Sequence, residues 1–198
     1  MRVPRLLHGQ HGFTLLEVLV SLVILVFGLL GMLGLQARAQ VATFESYQRG
    51  QALILVQDMA DRIQSNRKAA LCYDMAGNGI AYLGTGYGGS PACTAAVGTA
   101  ATRAVATADL VAWNDALQGK TEKLGPGGTA VGAILGARGC ITYTAATNSY
   151  RIAVAWQGMA ATVAPTAGDA AATCAQNLYG PDSQRREVNV TVRIANLT

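Results

Sequence analysis

GFTLLEVLVSLVILVFGLLGMLGL, residues 12–35, decides how the rest of the chain is read. From Phe13 to Leu35 it is an apolar run of 23 residues with one charge, Glu17. A helix of that length crosses the roughly 30 Å hydrocarbon core of a bilayer. A carboxylate costs about 2.5–3.5 kcal/mol near the centre of such a span on insertion scales. Glu17 therefore needs a wet position close to the interface or a cationic partner.

The residues before the run, Met1 to Gly12, include Arg2, Arg5, His8 and His11 and no acid. Basic residues ahead of a first apolar helix predict a cytoplasmic N-terminus and a translocated remainder. A secretory signal peptide places its cleavage site after the apolar segment. Here the sequence Gly-Phe-Thr-Leu-Leu-Glu stands in front of it, and with its basic leader it resembles the processing site of type IV prepilins. The resemblance implies that a prepilin peptidase cuts between Gly12 and Phe13 and that the new N-terminal Phe13 is N-methylated. It also implies that Glu17 pairs with the N-terminus of a neighbouring subunit in the fibre. The physical logic agrees. Cleavage would place an α-amino group at the start of a helix, where the helix dipole adds to its charge. A carboxylate from the same or an adjacent helix is the natural partner, and such a pair favours one register more than it stabilises one chain.

Beyond Gln36 the helical pattern continues. Ala37, Val41, Phe44, Ala52, Leu55, Met59 and Ile63 recur at steps that place them along one stripe. Arg38, Gln40, Glu45, Gln48, Arg49, Gln57, Asp61 and Arg62 fill the other faces, and no proline lies between Pro4 and Pro91. One helix is expected over residues 13–66, about 80 Å long at about 1.5 Å per residue. Its part 13–35 would be transmembrane or fibre core, and its part 36–66 amphipathic. Gly28, Gly31 and Gly34 form a small-residue face of the kind that permits close helix approach, and Gly50 is a weak point at about 1 kcal/mol against alanine. The expected organisation is a leader at 1–12, this helix at 13–66 and a globular domain at 67–198, large enough for a core of its own.

From Asn66 to Arg103 the chain is rich in glycine. Gly84, Gly86 and Gly89 match G-x-G-x-x-G, but that pattern binds phosphate only between a strand and a helix, and a loop is the better reading here. A short helix is expected from Thr107 or Asp109, with Leu110, Val111, Trp113 and Leu117 inward and Gly119 ending it. Residues 139–144 and 150–157 read as strands joined through Asn148-Ser149, with Ile152, Val154 and Trp156 alternating onto one face. Residues 186–196 read as a third strand, with Val188, Val190, Val192 and Ile194 inward. The expectation is an α+β fold: the long N-terminal helix packed on a small antiparallel sheet with one buried face.

Cys72, Cys93, Cys140 and Cys174 all lie in the part expected to be translocated, and four cysteines allow three pairings. Cys72–Cys93 and Cys140–Cys174 are favoured, each closing a loop-rich stretch, and a disulfide of this kind contributes typically about 2–4 kcal/mol. No C-x-x-C spacing suggests a metal. His8 and His11 are the two histidines, both in the leader, so a processed chain would have no histidine for triad catalysis or metal ligation. Asp58 and Asp61 read as a solvated helix face. Removing Arg2 and Arg5 from the 15 basic residues leaves 13 against 11 acidic ones, which gives no footprint for nucleic acid. No cofactor is expected.

Over residues 138–158, in the strand from Arg185, and around Trp113 in 109–117, the chain is similar to the PilV-type minor pilins. That resemblance implies a type IV pilin-like fold and a low-abundance, non-enzymatic subunit. It would be held in the inner membrane with its domain in the periplasm, and would later sit in the pilus fibre at the cell surface. Its partners would be the prepilin peptidase, other minor pilins, the major pilin and a tip adhesin. Its role would be to prime pilus assembly as part of a tip complex. A minor pseudopilin of type II secretion shares the N-terminal logic. A membrane-tethered periplasmic enzyme or sensor is the third reading, and the missing histidines count against it.

Overall fold

A computed structural model describes residues 12–128, 132, 134–165 and 173–195. Its elements are α1 (Leu15–Ser65), a 3-10 segment (Arg67–Tyr73), β1 (Leu83–Gly84), α2 (Ala100–Leu117), β2 (Arg138–Thr144), β3 (Ser149–Gln157) and β4 (Arg185–Arg193). The strands form one antiparallel sheet in the order β1-β2-β3-β4. The chain divides into two compact units, one ending at Thr43 and the other spanning Phe44–Thr198. The division falls inside α1, which is unbroken through Gly50. The leader residues 1–11 and the end of the third expected strand at Asn196 lie outside the described residues.

In the first unit α1 is long and apolar enough to cross a membrane, and none of its apolar window is buried. In the second unit Phe44–Ser65 supplies Gln48, Ala52, Val56, Met59, Ala60 and Ile63 as its buried face. These apolar residues join one core with Leu110 and Trp113 of α2 and with Ile141, Ile152, Val154, Trp156 and Val188 of the sheet. The expected stripe is therefore right from Ala52 onward and wrong before it. Phe44 is 44% exposed and Ala37 is exposed, while Gln48, read as a polar-face residue, is buried. Glu45 was also expected on the polar face. It is half-buried, accepts from the backbone of Met159 (3.0 Å) and pairs with Arg186 (3.2 Å), tying α1 to the start of β4.

α2 starts seven residues before Thr107, because Thr99 caps it. The Thr99 hydroxyl accepts from the Thr102 amide while the Thr102 hydroxyl accepts from the Thr99 amide. This is a capping box with threonine in the usual Glu/Gln place, so the expected signal is missing. Ala106, Leu110, Trp113, Asn114 and Leu117 face inward; Val111, expected among them, is 39% exposed. Gly119 takes φ +67° and ends the helix as expected. Trp113 is wholly buried and its indole N–H donates to the Leu55 carbonyl of α1 at 2.9 Å. The indole lies on Gly139 of β2, where a Cβ would come within 2.3 Å of the ring. A glycine stands second in β2, where the tryptophan occupies the space a side chain would need.

The sheet is covered on both faces, not one. The α1-facing side carries Ile141, Ile152, Val154, Trp156 and Val188. On the other side Ala153 and Ala155 pack with Cys174, Ala175 and Tyr179, with Cys140 against them. The segment before β4 makes this cover. Tyr179 shares its hydroxyl proton between the carbonyls of Gly136 (2.9 Å) and Ala155 (3.0 Å), and the Arg138 guanidinium stacks between Tyr179 and Tyr82. Cys140 and Cys174 are bonded, as are Cys72 and Cys93. β1 was missed within the glycine-rich stretch; its two residues pair with Gly139 and Arg138.

Arg185 is fully buried at the foot of this cover. It bonds Asp182 through two nitrogens (2.7 and 3.0 Å), Glu187 at 2.6 Å and the Cys174 carbonyl at 3.2 Å. One cation thus serves two carboxylates. Asp182 is held below its usual range by its bond to Arg185. Burial pushes the Glu187 carboxyl up to about 7, against the opposing pull of Arg185 and Arg151. The folded state therefore holds a proton on Glu187 that the unfolded chain releases near the usual glutamate range.

Two outcomes follow from this packing. A chain beginning at Phe44 should be a soluble, folded monomer, whereas one beginning at residue 67 strips the α1 face from the core. Burial of each such side chain is worth about 1.5–3 kcal/mol against a total of about 5–15 kcal/mol, so the shorter chain should be unfolded or aggregated by circular dichroism and gel filtration. Glu187 adds a stability term that is fully present below pH about 4.5 and is lost as pH rises through about 7, on the order of 2 kcal/mol. Urea unfolding of the Phe44–Thr198 unit between pH 4.5 and 8 should show that decline, and Glu187→Gln should flatten it.

Candidate assembly interface

Phe13 and Thr14 precede the first turn of α1. Thr14 is its N-cap: the Glu17 amide donates to the Thr14 hydroxyl at 3.2 Å and to the Thr14 carbonyl at 3.0 Å. Thr-x-x-Glu is the sequence form of a capping box, so the same residues that start the helix also fix Glu17 in its first turn. There its carboxylate lies at the positive end of the helix dipole. The Ser21 hydroxyl donates to the Glu17 carbonyl at 2.7 Å, so the serine's polar group is satisfied within the helix.

The rest of this surface is apolar and unpartnered. Phe13 is 83% exposed, and the large side chains from Leu15 to Leu35 are exposed with it. Gly28, Gly31 and Gly34 occupy about a third of the helix circumference, and nothing lies within 4 Å of the Cβ positions they lack. In water an unpartnered apolar surface of this extent is strongly unfavourable. Its chemistry is that of an anchor and a helix-packing face, not of a reaction centre.

A second polar feature lies between α1 and α2. Arg62 bridges Asp58 (2.9 Å) and Asp109 (2.9 Å), and the Tyr73 hydroxyl donates to Asp109 at 2.5 Å and accepts from Asn66 at 3.3 Å. Asp58 and Asp61 both reach solvent as expected, and Asp58 is in addition tied into this network. Burial first, then the bond to Asp109, pushes the Tyr73 hydroxyl above its ordinary value and keeps it a donor. The network lines an open groove of about 440 Å³ with Val105 on its wall. Its groups are bonded to one another across two helices, which makes it a brace for the α1–α2 contact. Gly84, Gly86 and Gly89 all lie at or after β1; Gly84 meets the Ala137 carbonyl, and Gly86 continues the turn with φ +86°. No helix follows directly, so the glycine motif has no phosphate-binding context. Among the described residues no group of histidine, cysteine and carboxylate side chains is arranged to hold a metal.

A long N-terminal helix combined with a small four-stranded antiparallel sheet is a type IV pilin-like α+β fold. Comparison with known families agrees. Residues 7–33 match the prokaryotic N-terminal methylation motif, and residues 34–110 match the family of type IV pilin Tt1218. No curated protein and no solved structure matches the chain. The first match contains Gly12, Phe13 and Glu17. The second runs through the remainder of α1, the Cys72–Cys93 loop and the start of α2. Strands β2 to β4 lie beyond both. A match to the N-methylation motif is thus joined directly to a match to a type IV pilin family, which supports a pilin or pseudopilin role.

Proposed function

We propose that this chain is a minor pilin of a type IV pilus, one that primes assembly within a minor-pilin complex at the fibre tip. The observation that carries the reading is the match to the methylation motif, which runs into an apolar helix whose membrane-length window is unburied among the described residues. The prepilin peptidase would remove residues 1–12 and methylate Phe13. Until assembly the helix would sit in the inner membrane with the disulfide-bonded domain in the periplasm, where oxidation of all four cysteines is expected. On assembly the lipid around residues 13–35 would be exchanged for helices of other minor pilins and the major pilin, with a tip adhesin as a further partner. Glu17 would then meet the Phe13 amine of a neighbour, an arrangement that sets axial register. The similarity of β2, β3 and β4 to PilV-type minor pilins supports the subtype.

Mass spectrometry of the protein recovered from sheared fibres should give an N-methylated Phe13 as the first residue; an N-terminus at Met1 in cells with active peptidase contradicts the reading. Recovery with secretion-channel components instead of pili would identify a minor pseudopilin. Glu17→Gln should insert into membranes as well as the parent chain, because it removes a charge from the span. It should be depleted in the assembled fraction, as read by immunoblot, because the neutral amide cannot neutralise an ammonium group.

A further inference from the structure

Among the described residues the outer edge of β4 is open from Glu187 onward, and its phase can be read from its ends. The Gly158 amide donates to the Gln184 carbonyl and the Ile194 amide to the Asn148 carbonyl, both across to the β3 side. Even-numbered backbone groups of β4 therefore turn toward β3, and odd-numbered groups turn away. At Ser183 the outward carbonyl is met by the Thr162 amide. Further along, among the described residues, nothing meets the outward groups of Glu187, Asn189, Thr191 and Arg193. The opposite edge is closed: beside β1, β2 receives the Met75 amide on the Ile141 carbonyl and offers the Tyr143 amide to Asp74.

Free edges are ordinarily blunted by short length, proline, a bulge or an inward charge. The edge from Glu187 to Arg193 has none of the first three. β4 is nine residues long, pairs with β3 one to one at every position, and contains no proline or glycine. Its apolar row is incompletely covered, since Val190 and Val192 are only half-buried. On the other row Asn189, Thr191 and Arg193 are exposed. Arg193 bonds the Thr147 carbonyl at 3.2 Å and, among the described residues, meets no carboxylate.

We propose that β4 receives an added strand from a different protein of the same assembly. That strand is an extended segment with apolar residues at alternate positions over Val190 and Val192 and a carboxylate opposite Arg193. The inference rests on the assembly role proposed above. Only extended backbone presents donors and acceptors at the spacing of the outward groups, and alternate side chains then supply selectivity. A second copy of this chain is a poor occupant. Antiparallel β4–β4 pairing about a two-fold axis normal to the sheet would reverse the direction of the Phe44–Ser65 helix between copies. Two chains held by N-terminal anchors in one membrane enter from the same side.

The test is hydrogen exchange of the full-length chain, purified in detergent and compared with the same chain in assemblies isolated from cells. The amides of Asn189, Thr191 and Arg193 should exchange freely in the purified chain and at least about tenfold more slowly in the assembly. Equal exchange in the two overturns the proposal. Thr191→Pro removes one outward N–H and no bond to β3, a place where an edge strand tolerates proline. It should be lost from assemblies, while Thr191→Val, which keeps the N–H, should be recovered at the parent level. Recovery of a folded Thr191→Pro chain at the parent level also overturns it. If that variant misfolds, the exchange comparison decides alone. Concentration-dependent protection of residues 187–193 in the purified chain would make the occupant a second copy and refute a different protein. Absence of the parent chain from every assembly refutes the assembly role itself and this inference with it.

Discussion

Everything in the Phe44–Thr198 unit depends on the seam between the α1 stripe and the sheet. Gln48, Ala52, Val56, Met59, Ala60 and Ile63 face inward because the spacing holds them on one side of the helix. Ala52, Ala60 and Trp113 are buried in the same core. The indole bond to the Leu55 carbonyl and the missing side chain at Gly139 are two halves of one fit. A methyl group on Gly139 would displace the ring that anchors α2 to α1. The Asp58–Arg62–Asp109–Tyr73 network then braces the same two helices from outside the core.

The second sheet face works by a different principle. Ala153 and Ala155 are too small to build a core, so the chain before β4 is brought onto them and held by polar and covalent ties. Cys140–Cys174, the Tyr179 hydroxyl and the buried Arg185 all act on that one segment. Placing Arg185 in the interior requires compensation for its charge, and the structure supplies two carboxylates. Glu187 holds its proton unusually tightly because burial raises its pKa against the pull of Arg185 and Arg151.

Much of this was legible from residue patterns. Valines at alternate positions from Val188 identified β4, and Ile152, Val154 and Trp156 identified β3, because period-two alternation survives any tertiary context that buries one face. The extent of α1 followed from the absence of proline over more than eighty residues. Other features were hidden for physical reasons. The start of α2 was missed because Thr99 and Thr102 form a capping box without an acid. Gln48 and Glu45 were assigned to the polar side by residue type, whereas Gln48 is buried and Glu45 is held by Met159, Ala160 and Arg186. The cover on Ala153 and Ala155 was invisible because alanine carries no strong periodic signal. Two-residue β1 is too short to have one. At the N-terminal stretch the order is local: Thr14 caps the turn that carries Glu17.

Under the proposed assembly role Glu17 would be costly for a solitary chain and useful in company. Its carboxylate stands in the first turn of a helix whose remaining surface through Leu35 is apolar. Insertion into lipid would be easier without it, and the Thr14 cap already satisfies the local amide. A carboxylate in that turn gains from the helix dipole, a modest return against the cost of a charge in the span. Under the proposed assembly role the rest of that cost would be met by a group outside the chain. The only group that processing would create nearby is the ammonium at Phe13, on this chain or the next. Since Phe13 and Glu17 are separated by one helical turn, an intermolecular pair offsets adjacent helices by a defined step along the axis. Under the proposed assembly role the helix would carry both the reason to associate, in its uncovered apolar surface, and the means to do so in one register.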